Sequence, residues 1–317
     1  MKNAMIFPGQ GSQKVGMGKD LADSFPVAKN VFEAVDDALN IKLSSIIWEG
    51  RLEELTLTEN AQPALMANSM AILSVLESEG LKMQFMDFVA GHSLGEYSAL
   101  CAAKSISIED TAVLLRRRGV AMQACVQTGE GSMAVILGLN AAQIQEILDN
   151  FSGEGICQIA NDNDPNQVVI SGNRSDVDKV IELTKKKGAK RALPLNVSAP
   201  FHCEIMAPAA NEMKEALKDI HINVPKIPIV MNTIAEAITD PEKIRTLLVD
   251  QIVGMVRWRE TVSYIYGKGP ARFYEVGSGK VLSGMVKRTE IDAQTFCISS
   301  YQDVLEAMRG LKNGSTK

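Results

Sequence analysis

One serine in this sequence has the surroundings that a covalent nucleophile needs. The segment GHSLG at residues 91–95 fits the pattern GxSxG, with an apolar, strand-like run before it and helical spacing after it. At such a sharp turn the glycines leave room for neighbouring backbone, and the serine projects outward. The N–H of Leu94 and the start of the helix create a positive potential that favours an oxyanion. We therefore predict that Ser93 is a nucleophile; the alternative is a helix N-cap flanked by glycines that allow close packing.

A serine hydroxyl is a weak nucleophile at neutral pH and needs a base, most often a histidine. The chain has three histidines. His92 adjoins the serine, so the tight turn should direct its ring elsewhere, and His221 precedes a predicted strand, where a surface or packing role is expected. His202 lies in a loop that can lean over the turn, and we predict that it is the base; the alternative is a hydrogen-bonded loop histidine. No carboxylate stands out by pattern as a third member, and a main-chain carbonyl would orient the imidazole equally well.

The apolar pattern predicts an α/β fold that positions these residues. Strands are predicted at residues 4–7, 85–90, 227–231 and 272–276, and helices at residues 61–79, 94–103 and 108–126. Strands that alternate with helices in this way are typical of a mainly parallel sheet.

A segment in the middle of the chain has a different rhythm. It contains predicted strands at residues 133–137, 156–161, 167–171 and 192–197, predicted helices at 141–150 and 175–187, and a turn at 162–166. The resulting order, β-α-β-β-α-β, is typical of a ferredoxin-like arrangement. We predict that residues 128–197 form a small subdomain, inserted into a large subdomain made of residues 1–127 and 198–317.

The composition is that of an ordinary globular enzyme. The 317 residues are 46% hydrophobic and 22% charged, and the net charge of −5 gives no general case for binding nucleic acid or an anionic membrane. The five cysteines lie far apart without a CxxC pair, so we predict neither a metal site nor a disulfide framework. No signal-peptide pattern is present, and no apolar run approaches the roughly 20 residues that cross a bilayer. We expect a cytoplasmic protein.

Six segments resemble, in order, those of the malonyl-CoA:acyl carrier protein transacylases, an acyltransferase family of type II fatty-acid synthesis. They are FPGQGSQ, GHSLGEYSAL, RRRGVAMQ, NDNDPNQVVISG, ALPLNVSAPFHC and YEVGSGKVLSG, spread over about residues 4–290. The resemblance implies a monomer with an α/β-hydrolase-like large subdomain and a ferredoxin-like small one. The strand order predicts the same division.

The resemblance also implies which residues perform the chemistry. Ser93 corresponds to the nucleophile and His202 to the base. Gln10 and Leu94 correspond to the residues whose main-chain N–H groups form the oxyanion hole. Gln251 corresponds to a glutamine whose main-chain carbonyl accepts a hydrogen bond from the histidine, which would explain why no third carboxylate stands out.

Two further residues correspond to positions that contact the substrate. Arg118 matches the arginine that pairs with the free carboxylate of a malonyl group, which a guanidinium meets with two parallel hydrogen bonds. Asn163 matches an asparagine that lines the site. From the residues alone, Arg118 has an alternative as a solvated member of the run RRR at residues 116–118.

The implied activity is malonyl transfer from malonyl-CoA to the phosphopantetheine thiol of acyl carrier protein, through a malonyl-serine and with no cofactor besides the CoA thioester substrate. Alternatives are a serine esterase or thioesterase, a polyketide-type acyltransferase for another acyl group, and an inactive scaffold that docks carrier protein. Phe201 fits the malonyl-type pattern and argues against another acyl group. The lysines at 185–187 and 190 form either a solvated helix end or a docking place for an acidic carrier protein or the CoA phosphates.

Overall fold

The larger of two β-sheets in the computed structural model is mainly parallel. The structure describes residues 1–127, 129–197, 199–269 and 271–314, with side chains as far as residue 307. In spatial order the strands are β10 (Gln294–Ile298), β9 (Ala271–Val276), β1 (Lys2–Phe7), β2 (Phe88–Gly91), β7 (Ile229–Val230) and β8 (Ala237–Ile238). Only the last pair, β7 and β8, is antiparallel. The prediction of a mainly parallel sheet is confirmed.

Apolar side chains pack against both faces of this sheet. Met5 and Phe7 belong to one buried cluster, whereas Ala4 and Ile6 belong to a second cluster together with Trp258. Because successive residues of a strand point to opposite faces, each face of β1 has its own core. A strand buried on both faces is a continuous apolar run in the sequence, as residues 4–7 of β1 are.

Helices surround the larger sheet. They are α1 (Lys19–Ser24), α2 (Pro26–Leu39), α3 (Leu43–Glu49), α4 (Leu52–Thr56), α5 (Thr58–Ser78), α6 (Gly95–Ala102), α7 (Ile108–Ala124), α10 (Ala207–Lys218), α11 (Pro241–Val253), α12 (Trp258–Gly267), α13 (Val281–Arg288) and α14 (Tyr301–Gly314). Among the residues described, no helix combines the length and apolar character that a membrane span requires.

The smaller sheet is antiparallel and has a separate core. Its strands are β3 (Gly131–Leu137), β4 (Cys157–Asp164), β5 (Gln167–Asn173) and β6 (Arg191–Pro194), in the spatial order β4-β5-β3-β6. Helices α8 (Ala141–Asp149) and α9 (Arg174–Lys186) bury Ile144 and Val180 against Ile136 and Val168. The predicted element order is confirmed, while the predicted boundary positions 128 and 198 lie outside the described residues.

One departure from the predicted elements is at the end of β4. The predicted turn at residues 162–166 is limited to residues 165 and 166, and the strand continues to Asp164. Asp162 and Asp164 are buried and form ion pairs with Arg259 on α12, at 2.8 Å, and Arg288 on α13, at 2.7 Å. These two pairs, here called the junction pairs, join the smaller sheet to helices of the larger one. They explain why such a polar segment stays extended and enclosed.

Candidate active site

Ser93 lies on a sharp turn between β2 and α6. Its φ is +53°, in the left-handed region that side chains rarely adopt. The flanking backbones approach so closely that a Cβ on Gly91 would lie 1.9 Å from the carbonyl oxygen of Gly95, and a Cβ on Gly95 would lie 2.3 Å from that of Phe7. The predicted need for glycine on both sides of the serine is confirmed.

His202 makes two hydrogen bonds that orient it toward the serine. Its Nε2 lies 2.7 Å from Ser93 Oγ, and its Nδ1 lies 2.8 Å from the main-chain oxygen of Gln251. Gln251 is the third residue from the end of α11, where carbonyls lack donors within the helix. Since a carbonyl can only accept, the proton resides on Nδ1, and Nε2 accepts from the serine hydroxyl. The contact expected between Gln251 and His202 is therefore present.

The surroundings keep the imidazole neutral. Burial, and then the positive charge of Arg118, lower the pKa of His202 to about 3. The ring therefore has a free lone pair at neutral pH, as a base requires. Removing the proton from the hydroxyl is the chemistry that this contact allows.

Arg118 reaches the same hydroxyl from another side. Its side chain is 1% exposed, and Nη2 donates to Ser93 Oγ at 3.1 Å and to Gln251 Oε1 at 2.9 Å. Nη1 donates to Gln62 Oε1 at 2.8 Å. All three acceptors are neutral oxygens, and Arg118 forms no ion pair with any residue that the structure describes. The alternative of a solvated arginine is wrong for this residue.

A network behind the serine was not predicted from the sequence. Asn232 accepts from the main-chain N–H of Ser93 at 2.8 Å and donates to the oxygen of Gly91 at 2.7 Å. The carboxylate of Glu96 accepts from the N–H of Asn232 at 2.5 Å and from Nε2 of Gln251 at 2.6 Å. Glu96 is 0% exposed, and burial raises its pKa to about 8 against the opposing effect of these donors and of a nearby guanidinium.

The sequence contains partial signals for these residues. Asn232 follows directly after the strand predicted at 227–231, and polar residues at the carboxyl ends of parallel strands often form sites. Gln62 interrupts an apolar helix. Glu96 stands in the first turn of α6, where an acidic residue has an ordinary explanation in the helix dipole, so its pattern carries no specific signal.

The serine opens into a cavity of about 280 Å³ between the two sheets. Gln10, from the loop after β1, and Phe201 line it from the larger part of the fold, and Met133 of β3 and Leu195 line it from the smaller sheet. Leu94 is buried immediately before α6. The cavity lining is therefore mixed, with polar side chains around the serine and both polar and apolar side chains elsewhere. That Gln10 and Leu94 supply the oxyanion hole remains a prediction.

Asn163, predicted to line the site, lies behind His92 and is separated from the cavity by it. Its Oδ1 lies 2.9 Å from Nε2 of His92, and the cavity is lined by His92 and Asn161 instead. Asn163 is 4% exposed, at the irregular end of β4. His92 accordingly points away from the serine, as expected from the tight turn, while His221 is exposed and bonded to Asn223.

Comparisons with known proteins agree with this geometry. The acyl transferase domain family matches residues 4–301. The malonyl CoA-acyl carrier protein transacylase of Bacillus subtilis is 45% identical over 312 residues, with 98% of each chain covered. That of Escherichia coli K12 is 42% identical over 285 residues, covering 90% of this chain and 92% of the relative.

Two solved structures have nearly the same fold. The acyl-carrier-protein-S-malonyltransferase of Bartonella henselae gives a TM-score of 0.96 at 51% identity, covering 98% of this chain and 100% of that one. A malonyl-transacylase solved in complex with a type II polyketide acyl-carrier protein gives 0.94 at 39% identity, again covering 98% and 100%. The resemblance noted in the six sequence segments therefore extends to nearly the whole chain.

Proposed function

The chain belongs to the acyl transferase domain family, and we propose that it transfers the malonyl group from malonyl-CoA to the phosphopantetheine thiol of an acyl carrier protein. The proposal depends on one observation: His202 Nε2 and Arg118 Nη2 both form hydrogen bonds with the hydroxyl of Ser93. A base and a buried cation at a single nucleophile suit an acyl group that carries its own negative charge.

In the first half-reaction, His202 removes the proton from Ser93, and the serine oxygen attacks the thioester carbonyl carbon. The negative charge on the carbonyl oxygen is held by the N–H groups of Gln10 and Leu94. The carbon–sulfur bond then breaks, CoA takes the proton from His202 and leaves, and a malonyl ester remains on the serine.

In the second half-reaction, the carrier's thiol gives its proton to His202 and attacks the ester carbonyl. The ester bond to Ser93 breaks, and the serine oxygen takes the proton back. Over the cycle the serine regains its proton and the acyl group moves from CoA to the carrier's thiol. The reaction therefore uses the CoA thioester as substrate and requires no further cofactor.

Arg118 is proposed to select the malonyl group. Moving a carboxylate into this enclosed site without a partner would cost several kcal/mol. A guanidinium can form two parallel hydrogen bonds to that carboxylate, and Arg118 is already oriented by Gln62 and Gln251. Asn163 is proposed to support the same site indirectly, by holding the ring of His92.

The finer description of the fold is part of this proposal. Residues 1–127 and 198–317 are assigned to an α/β-hydrolase-like large subdomain and residues 128–197 to a ferredoxin-like small one. The separate core of the smaller sheet and its order β4-β5-β3-β6 support that division. We further propose a cytoplasmic monomer that acts on two water-soluble substrates and does not bind nucleic acid, consistent with the net charge of −5.

The test is a product balance with malonyl-CoA and a phosphopantetheinylated carrier protein. Malonyl-carrier protein should form faster than free malonate, and both products should disappear in Ser93→Ala. Malonate release that outpaces transfer would favour the thioesterase alternative. Absence of either product would favour the inactive scaffold.

A further inference from the structure

We propose that Glu96 is a positioning residue for malonyl selection, because it fixes the side-chain amide of Gln251 in the one orientation that presents an oxygen to Arg118. The inference rests on the proposed function and adds a residue that does not itself contact the acyl group. It explains a carboxylate that the two half-reactions leave unused.

The orientation of the Gln251 amide follows from its neighbours. Its nitrogen lies 2.6 Å from Glu96 Oε2 and 2.9 Å from the main-chain oxygen of Ser93, which can only accept. At the other end, its oxygen receives Arg118 Nη2 at 2.9 Å. An amide with acceptors around one end and a guanidinium at the other satisfies all of these contacts in only one orientation.

The ionised form of Glu96 keeps that orientation, because both of its oxygens then accept. Burial raises the pKa of Glu96 to about 8, so the ionised form predominates above that pH. One oxygen of Glu96 accepts from the main-chain N–H of Asn232, which cannot be reversed, and the other accepts from Gln251. If position 96 held an amide, its single oxygen would stay with Asn232, and its nitrogen would face the nitrogen of Gln251. Relieving that clash reverses the Gln251 amide and turns a donor toward Arg118, which has only donors.

The arrangement also separates Glu96 from Arg118. Gln251 lies between them and passes on a hydrogen bond without letting the carboxylate form an ion pair with the guanidinium. Glu96 still interacts with Arg118 electrostatically, but the hydrogen bonds of the guanidinium to described residues go to the neutral oxygens of Ser93, Gln62 and Gln251, so an incoming anion would be its first direct charged partner. A fully buried carboxylate is costly in a protein interior, and this role gives a reason for its presence.

The test compares Glu96→Gln with a matched control, Glu275→Gln. Glu275 is also 0% exposed and accepts from two main-chain N–H groups, those of Leu282 and Ser283. Each variant is treated at about pH 9, where the wild-type Glu96 is ionised, with malonyl-CoA and, separately, with phenylmethanesulfonyl fluoride, an uncharged serine reagent. For Glu96→Gln, malonylation should slow at least about tenfold while sulfonylation stays within about threefold. Glu275→Gln should change the rates of malonylation and sulfonylation by the same factor.

A second variant tests whether Glu96 acts through Gln251. Gln251→Met removes the amide but keeps the main-chain oxygen that orients His202, and it should also slow malonylation selectively. Adding Glu96→Gln to it should then change malonylation by no more than about twofold. Effects that multiply, or losses that are equal for both reagents, would overturn the proposal. If Glu96→Gln does not fold, Gln251→Met and Glu96→Asp carry the test, and proportional losses in Gln251→Met alone overturn it.

The outcomes separate this inference from the proposed function. A wild-type protein that malonyl-CoA does not acylate contradicts the function itself. A wild-type protein that is acylated, with proportional losses in Glu96→Gln, contradicts only the role of Glu96.

Discussion

The arginines at the junction between the two sheets and the arginine beside the serine have opposite kinds of partner. Arg259 and Arg288 are partly exposed, and each pairs with a buried carboxylate. Arg118 is far more buried, yet its acceptors are neutral oxygens. Glu96 is near Arg118 but is separated from it by Gln251, and burying a cation without a direct ion pair costs free energy, so stability alone does not account for Arg118. The comparison supports the proposal that Arg118 binds an anion from outside, whereas the junction arginines pair with carboxylates of the fold itself.

The pKa values of Arg259 and Arg118 reflect the same difference in their partners. The hydrogen bond that Arg259 donates to Asp162 raises the pKa of Arg259, whereas burial lowers the pKa of Arg118. An anion that pairs with Arg118 would reverse this shift. An added anion would therefore form a new ion pair with Arg118, whereas Arg259 already has its ion pair with Asp162.

The largest effect is expected from Arg118→Ala. Losing two charge-assisted hydrogen bonds to the substrate carboxylate should lower kcat/KM for malonyl-CoA by on the order of 100-fold. The value for acetyl-CoA should fall much less, because acetyl has no carboxylate. Arg117→Ala is the matched control, since Arg117 is exposed and pairs with Glu212. Equal losses for the two thioesters would remove the contrast between Arg118 and the junction arginines.

Arg259→Ala should lower the stability of the fold and leave the preference for malonyl-CoA over acetyl-CoA unchanged. Asp162, 1% exposed, would lose its partner, and we expect a loss of about 2 kcal/mol in the free energy of unfolding, reduced because Arg259 itself is partly exposed. Burial already raises the pKa of Asp162, and loss of the arginine should raise it further. The loss of unfolding free energy should therefore grow as the pH rises above the pKa of an aspartate in the unfolded chain. Denaturant titrations at several pH values measure it. A changed preference for malonyl-CoA over acetyl-CoA would contradict a purely structural junction.

A smaller effect is expected in the pH profile of acylation. With the pKa of His202 at about 3, kcat/KM for acetyl-CoA, which has no carboxylate for Arg118 to bind, should stay within about twofold between pH 7.5 and 5.5. A histidine of ordinary pKa near 6.5 would lose about tenfold over that range. Because Arg118 contributes to that low pKa, Arg118→Ala should shift the profile to higher pH. Assays must be brief, since burying neutral histidine makes the fold less stable as pH falls below about 6.5. A wild-type profile that falls near pH 6.5 would contradict this account of the base.

The smallest effect is expected from exposed cations at the end of α9. Changing Lys186 and Lys190 to Glu should raise KM for the carrier protein several-fold at low salt and less at high salt, if they dock an acidic partner. Lys29→Glu with Lys218→Glu gives the same change in net charge elsewhere on the surface. Unchanged KM values for both carrier protein and CoA ester would leave these lysines as a solvated helix end.

The sequence predicts the nucleophile, the base and the mainly parallel character of the larger sheet because those signals are local or few. GxSxG specifies its own turn, three histidines leave little choice, and strands that alternate with helices indicate parallel pairing. Arg118 is harder to assign, because consecutive residues on a helix point about 100° apart and only packing decides which arginine faces inward. In the structure, Arg116 contacts Glu59 and Arg117 contacts Glu212, while Arg118 is buried.

The network behind the serine lies beyond sequence reasoning. Asn232 and Gln251 are separated from Ser93 by 139 and 158 positions, so no spacing rule connects them. Asn161 and Asn163 are two residues of one type at the irregular end of a strand, and only the fold decides that Asn161 lines the cavity. The same holds for the extension of β4, which depends on distant arginines.

The most direct test of the account is the mass of the intact protein after incubation with malonyl-CoA alone. The wild-type chain should gain the mass of one malonyl group, located on Ser93 by peptide mapping, and Ser93→Ala should gain none. A wild-type chain without the adduct, or an adduct that persists in Ser93→Ala, would contradict a malonyl-serine intermediate.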